Sequence, residues 1–361
     1  MTDPVFKQYY HPHGYVVAAS SPDALNRLEH EELPEDKSEY IPLETAEDFR
    51  KTMPKGVLTG EFPGWKGWWK KTGAGWVHAR KALVSASKEA ERLGVKFITG
   101  SPQGNVTSLI YSEGHQNGEV LGATTEDGKE HLATRTILCA GATAPRLLDV
   151  KNQLRPTAWT LAHIKMTAEE VKLYKDLPVL FNIEKGFFME PDEDKHELKM
   201  CDEHPGYCNW LPDPDSPSGK TSVPFAKHQI PIEAEERARG FLRDIMPHLA
   251  DRPFTFARIC WCADTPDRNF LIGPHPDHKG LVLGIGDSGH GYKHITSIGG
   301  FIVDSMEGIL DERMAEGMRW RPETATDPDW VTGTLGRFGG PNKVMDFQVD
   351  VKGWTNIPRH S

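Results

Sequence analysis

Apolar and polar positions divide this chain into many short strands and a few helices. Residues 14–20 make an apolar run of strand length, and Ser21-Pro22-Asp23 after it reads as a capped helix start. Residues 30–55 are charged and contain proline, as a surface helix and loop do. Residues 77–93 repeat apolar positions at helical spacing and stop at Gly94. Strands are predicted at 95–99 and 106–111, a hairpin over 119–135, and a buried strand over 136–142 ending in Ala140-Gly141-Ala142. From residue 154 the character changes. A strand at 161–166 and a helix at 168–175 precede strands at 179–183, 186–190 and 197–203. A charged amphipathic helix at 233–245 is closed by Pro247. Residues 281–285 are short, apolar and β-branched, as a buried parallel strand should be. A turn with Gly284, Gly286, Gly289 and Gly291 leads from that strand into a helix over 295–307. Beyond it lie a polar linker at 319–329 and a glycine-bearing loop at 336–342.

With 361 residues, two domains are the default expectation. The net charge of −10 and the lack of a basic stripe interleaved with aromatics argue against nucleic acid as a partner. No apolar run approaches the roughly 18 residues of a membrane helix, so no membrane partner is expected. The five cysteines (139, 201, 208, 260 and 262) are odd in number and widely spaced. That spacing suits a reducing compartment better than a disulfide framework, and Cys260-x-Cys262 is not a zinc spacing. No metal site is expected, and Cys139 reads as core.

Three stretches carry candidate chemistry. Gly284-Ile-Gly-Asp-Ser-Gly289 has the letters of the dinucleotide fingerprint, but no second strand ending in an acidic residue follows it. It reads as a turn that touches a cofactor rather than as a pyrophosphate loop. Gly141 and Ala142, after a strand, let backbone come close to a nucleotide. On a strand Lys199, Cys201 and Glu203 share one face, where an ammonium and a carboxylate are costly unless they meet each other, solvent or a ligand. Trp65, Trp68, Trp69 and Trp76, crowded among glycines, read as interface core or as the wall of a cleft.

Cys260-Trp-Cys-Ala-Asp-Thr265 followed by Gly286-Asp-Ser-Gly-His-Gly-Tyr-Lys293 resembles the fungal fructosyl amino acid oxidases (amadoriases), which are sarcosine-oxidase-like flavoenzymes. Phe62-Pro-Gly-Trp-Lys-Gly67, Gly73-Ala-Gly-Trp-Val-His-Ala-Arg80, Leu154-Arg-Pro-Thr-Ala-Trp159, Cys201-Asp-Glu-His-Pro-Gly-Tyr207 and Leu335-Gly-Arg-Phe-Gly-Gly-Pro-Asn342 extend the resemblance over nearly the whole chain. It implies a mixed α/β fold. An FAD-binding Rossmann-like part (66–155 and 256–361) would join a substrate part on a mixed or antiparallel sheet (1–65 and 156–255). It implies FAD tied by a thioether to Cys260, with Cys262 on the same strand face as the alternative. Val106 would lie near the adenosine, Gly141 and Ala142 near the pyrophosphate, and Gly289, His290, Gly291, Tyr292 and Lys293, at a helix N-terminus, near the flavin ring. Lys199 would act over the flavin, Glu203 on the substrate's sugar or amine, and Lys293 with Arg337 on its carboxylate.

The partners implied are a fructosyl amino acid and O2, with the chain a monomer. Alternatives are another secondary amine (saccharopine, pipecolate or sarcosine) and a non-catalytic remnant. The family's opening Gly-x-Gly-x-x-Gly segment is not matched, since Asp3–Tyr15 already resembles a later stretch, so weak FAD binding is expected. The family often carries a peroxisomal tripeptide, whereas this chain ends Arg359-His360-Ser361. Cytosol is favoured, with the peroxisome open.

Overall fold

The computed structural model describes residues 3–114, 117–203, 206–214, 216, 218–326 and 344–357. In chain order the elements that position the site begin with strands β1 (Tyr15–Ala19), β2 (Tyr40–Leu43) and β3 (Lys66–Lys70). Helix α1 (Ala79–Arg92) comes next, then β4 (Thr136–Leu138), β5 (Arg155–Lys165), β6 (Val179–Asn182), β7 (Gly186–Phe188) and β8 (Glu197–Cys201). Helix α2 (Ile232–Ile245) is followed by β9 (Phe254–Asp264), β10 (Leu271–Pro274), β11 (Leu281–Ile285) and helix α3 (Ile298–Glu307).

Eight strands line up in one sheet as β9-β5-β8-β7-β6-β1-β3-β2, and the short strands Tyr207–Cys208 and Met345–Asp346 bring it to ten. The pairings are antiparallel except β1 with β6 and the short pair. Alternation along the strands gives this sheet a dry face and an open one. Ala158, Ala162, Leu198, Met200, Ala257 and Ile259 are buried on the dry face. Against them packs α2, whose Ala234, Ala238, Phe241, Leu242 and Ile245 recur at helical spacing and are all buried. The mixed α/β reading of the sequence therefore holds, with the antiparallel sheet where 154–203 reads as consecutive strands.

A second, three-stranded sheet runs β10-β11-β4, with β4 parallel to β11. Leu138, Leu271, Leu281, Leu283 and Ile285 form its core, and Ile302 of α3 packs with Phe270, Ile272 and Val282. Val106–Tyr111, Val120–Thr125 and Glu130–Leu132 make a separate antiparallel sheet. Among the described residues no helix is long and apolar enough to cross a membrane.

Five sequence expectations change. Within residues 30–55, expected as surface helix and loop, Tyr40–Leu43 form β2 of the large sheet, and Leu43, Phe49 and Met53 are buried in its core. Residues 95–99 form no strand, and Val95, Phe97 and Ile98 are exposed. A strand needs a ladder partner, and among the described residues this segment pairs with none. The strand expected over 136–142 is limited to Thr136–Leu138, with Ile137 and Cys139 exposed and a 3-10 turn beginning at Gly141. Helix α1 forms and stops at Gly94 as expected, yet only Ala82 on it is buried, while Leu83 and Val84 are exposed. The helix expected over 295–307 starts at Ile298, because the chain before it is pinned in tighter turns: a 3-10 turn spans Gly291–His294.

Phe241 lies between α2 and the dry face, its ring 6.0 Å from that of Trp65. Phe241→Ala should lower the unfolding free energy by about 3–5 kcal/mol in a urea titration. Leu83→Ala, on the exposed face of α1, should change it by less than about 0.5 kcal/mol. Equal effects would contradict this assignment of the core.

Candidate active site

The open face of the large sheet is organised by register. Across β9, β5, β8 and β7, Arg258, Leu161, Cys201 and Phe187 stand side by side in one row. Two residues along, Cys260 is paired with Trp159. The β5–β8 pairing, continued by the hydrogen bond from Asp202 N–H to Thr160 O (3.0 Å), carries Glu203 into that same row. Two residues the other way, Lys199 is paired with His163 and His163 with Phe256. So Cys260, Cys201, Lys199 and Glu203 do converge on one face. Glu203 is the one that shares a row with Cys260, and Lys199 lies two rows off.

Cys201 sits at the centre, where Lys199, Glu203, Cys260 and Arg258 all act on it electrostatically. Burial pushes its thiol up to about 11, so it is neutral at pH 7. Cys260 and Cys262 both point away from Trp261, whose indole N–H donates to Phe225 O (2.7 Å) on the other side of the strand. The expectation that the two thiols share a face is therefore met, and the strand geometry leaves both on it.

Beside this face opens a cavity of about 640 Å³, lined by Glu203, by Ser288, Gly289, His290, Tyr292 and Lys293, and by Arg268. Tyr15, Val179, Phe181 and Phe187 form its apolar side. The glycine turn that makes its wall is held by one carboxylate. Asp287 accepts from Ala263 N–H at the end of β9 (2.7 Å) and from Gly289 N–H (3.1 Å). Ser288, at φ 45°, is buried and its hydroxyl accepts from Thr265 N–H (3.1 Å). His290 donates through Nε2 to Arg268 O (2.8 Å), and the Tyr292 hydroxyl donates to Ala79 O (2.7 Å) at the start of α1. Gly289 takes φ 77°, a conformation that favours glycine. The expectation that this turn lies at a helix N-terminus is corrected: four residues lie between Lys293 and Ile298, where α3 begins, so the turn is not its first turn.

The sequence reading missed Arg268 and Ser288. Both hold positive φ without being glycine, which no side-chain pattern announces. Arg268 follows the Cys260–Asp267 stretch, and its Nη1 lies 2.9 Å from the Asp264 carboxylate, which is 1% exposed. The tryptophans are not part of the cavity lining: Trp65 packs with Phe49, Phe62 and Phe241, and Trp76 stacks on His11 at 3.9 Å. Of the expected nucleotide contacts, Gly141 (φ 51°) and Ala142 open the 3-10 turn after β4, and Val106 is exposed at the start of its strand. Arg337 lies outside the described residues.

The FAD dependent oxidoreductase family matches residues 6–305, and the chain belongs to that family. L-saccharopine oxidase of Schizosaccharomyces pombe is 30% identical over 71% of this chain and 61% of its own length. Amadoriase I of Aspergillus fumigatus, a fructosyl amine:oxygen oxidoreductase, superposes with a TM-score of 0.93 at 59% identity, covering 99% of this chain and 80% of that one. Amadoriase II, a fructosamine oxidase of the same organism, superposes at 0.91 with 54% identity, covering 100% and 82%. The chain thus spans about three fifths of the saccharopine oxidase (61%) and four fifths of the amadoriases (80% and 82%).

Two features of this chain fit the family's FAD. His290 Nδ1 is a buried acceptor with no partner among the described residues. At Gly141 a Cβ would meet nothing within 4 Å, so the backbone there is open to a bound group.

Removing Arg268 takes a cation from a buried carboxylate. Arg268→Leu should therefore lower stability by on the order of 3 kcal/mol in urea unfolding, with Arg268→Lys retaining most of it. An unchanged midpoint in the leucine variant would mean that the pair contributes nothing net.

Proposed function

We propose that the protein is an FAD-dependent oxidase of secondary amines, acting on fructosyl amino acids to give the amino acid, glucosone and H2O2. The single observation that carries this reading is the row on the open sheet face in which Cys260 and Glu203 are brought into register beside the cavity. The identity of 59% and 54% to two amadoriases supports the substrate class over other amines of the family. FAD, when bound, supplies the electron acceptor for the C–H bond beside nitrogen and passes the electrons to O2.

The chain's own groups then hold and charge the site. Cys260 is the proposed thioether anchor, which fixes the cofactor against β9, with Cys262 the alternative on the same face. Gly141, Ala142 and Val106 serve the nucleotide end, and Gly289, His290, Gly291 and Tyr292 the ring end, where His290 Nδ1 is an acceptor awaiting a donor. Glu203 is buried and accepts hydrogen bonds from the substrate amine or sugar hydroxyls. Lys199 keeps a positive charge near the place where O2 is reduced. Lys293, exposed at the cavity rim, grips the substrate carboxylate with Arg337, whose planar guanidinium suits a bidentate contact. The large sheet with α2 forms the substrate side, taking in Lys66–Lys70 and most of Phe254–Asp264 from the stretches expected in the FAD part, and the two three-stranded sheets form the nucleotide side. Five free thiols suit a reducing compartment, cytosol before peroxisome, and the chain works as a monomer.

Two measurements test the reading. In FAD-loaded protein, acid precipitation should leave flavin in the pellet. Cys260→Ser should release it and Cys262→Ser should not, and the opposite pattern moves the link to Cys262. H2O2 should form with fructosyl amino acids and not with saccharopine, pipecolate or sarcosine. Arg337→Ala should cost on the order of 3 kcal/mol in kcat/KM with the carboxylated substrate and far less with a decarboxylated fructosyl amine. Activity on saccharopine alone would replace the substrate assignment, and equal losses on both fructosyl substrates would remove Arg337 from the carboxylate.

A further inference from the structure

Outside the cavity, two histidines just before β1 converge with a carboxylate distant in sequence. His11 and His13 flank Pro12, and Glu190 follows β7. One potential ligand atom from each lies within 4.8 Å of the others, and His11 Nδ1 is 3.2 Å from Glu190 Oε1. None of the three lines the cavity.

We propose that His11, His13 and Glu190 form a binding site for a divalent cation of the zinc class. Two imidazoles and one carboxylate select a borderline cation over Mg2+ or Ca2+, which prefer all-oxygen shells. A tetrahedral Zn2+ with bonds of about 2.0–2.2 Å keeps its ligand atoms roughly 3.3–3.6 Å apart. The His11–Glu190 pair, at 3.2 Å, is close to that spacing, and the His13 ligand atom lies within 4.8 Å of both. Water takes the fourth position, since the side chains of His11 and His13 are partly exposed.

The surroundings are those of a held carboxylate with no fixed countercharge. Glu190 is 8% exposed, and among the described residues no lysine or arginine is paired with it. Its Oε2 accepts from Leu177 N–H at 3.3 Å, which leaves Oε1 aimed at His11. Around the site, Asp176 Oδ1 lies 3.3 Å from His13 Nε2, a carboxylate behind an imidazole as metal-binding histidines commonly have. Trp76 stacks on His11 and fixes its ring plane. An ion here would tie the chain entering β1 to the end of β7, two residues from Tyr15 of the cavity wall.

The test is metal binding by the chelator-stripped full chain, with Zn2+ and then Co2+ as probes. Zn2+ should bind at one saturable equivalent and raise Tm, and Co2+ should give the visible absorption of a four-coordinate site. His11→Ala and Glu190→Gln should abolish both. His13→Ala serves as the independent variant should loss of the buried carboxylate disturb folding, which circular dichroism reads. Asp176→Asn keeps the shape and tolerates the φ of 60° at that position; it should weaken binding about 10-fold. No saturable binding would overturn the proposal. Binding that survives both His11→Ala and His13→Ala would do the same.

Discussion

The pairing of β5 with β9 is the constraint on which the site depends. It runs in one register from Arg155 opposite Asp264 to His163 opposite Phe256, before a single irregularity. Because side chains alternate, that register decides at once which residues of both strands enter the core and which face the cavity side. Ala257 and Ile259 are committed to the dry face, and Arg258, Cys260 and Cys262 go to the other. A slip by one residue would bury the thiols and expose the alanines, so burial against α2 enforces the position of the reactive face. The site inherits its precision from the core.

The same strand end also holds the glycine turn. Asp287 accepts from the backbone of Ala263, and Ser288 N–H donates to Ala263 O. The turn is therefore fixed to β9 from two sides, and Gly286, Ser288 and Gly289 absorb the positive φ values that this requires. A helix N-terminus is not needed to place the backbone here, and α3 begins too late to supply one. Side-chain hydrogen bonds fill the place of the dipole in arranging this wall.

Much of the fold is legible in the sequence because period 2 and period 3.6 are local properties. The strands at 14–20, 106–111, 179–183 and 281–285, and the helices around 77–93 and 233–245, follow from patterning alone. That Lys199 and Cys201 share a face is legible for the same reason. Which of Lys199 and Glu203 stands in the row of Cys260 is not, since cross-strand register is set by pairing between segments far apart in the chain. Arg268 and Ser288 are hidden by backbone geometry that their side chains do not advertise, and the grouping of Glu190 with His11 and His13 by its separation in sequence. Residues 95–99 show the converse: the apolar pattern of a strand is present, but without a ladder neighbour the pattern alone does not make one.

The bare side of β4 has a consequence for behaviour in solution. There Ile137 is exposed, and among the described residues β4 pairs only with β11. Unpaired N–H and C=O groups along a strand form a template that any extended segment of suitable length can extend, and apolar neighbours add a driving force that grows on warming. Such a surface does not recognise one sequence; it recognises a conformation.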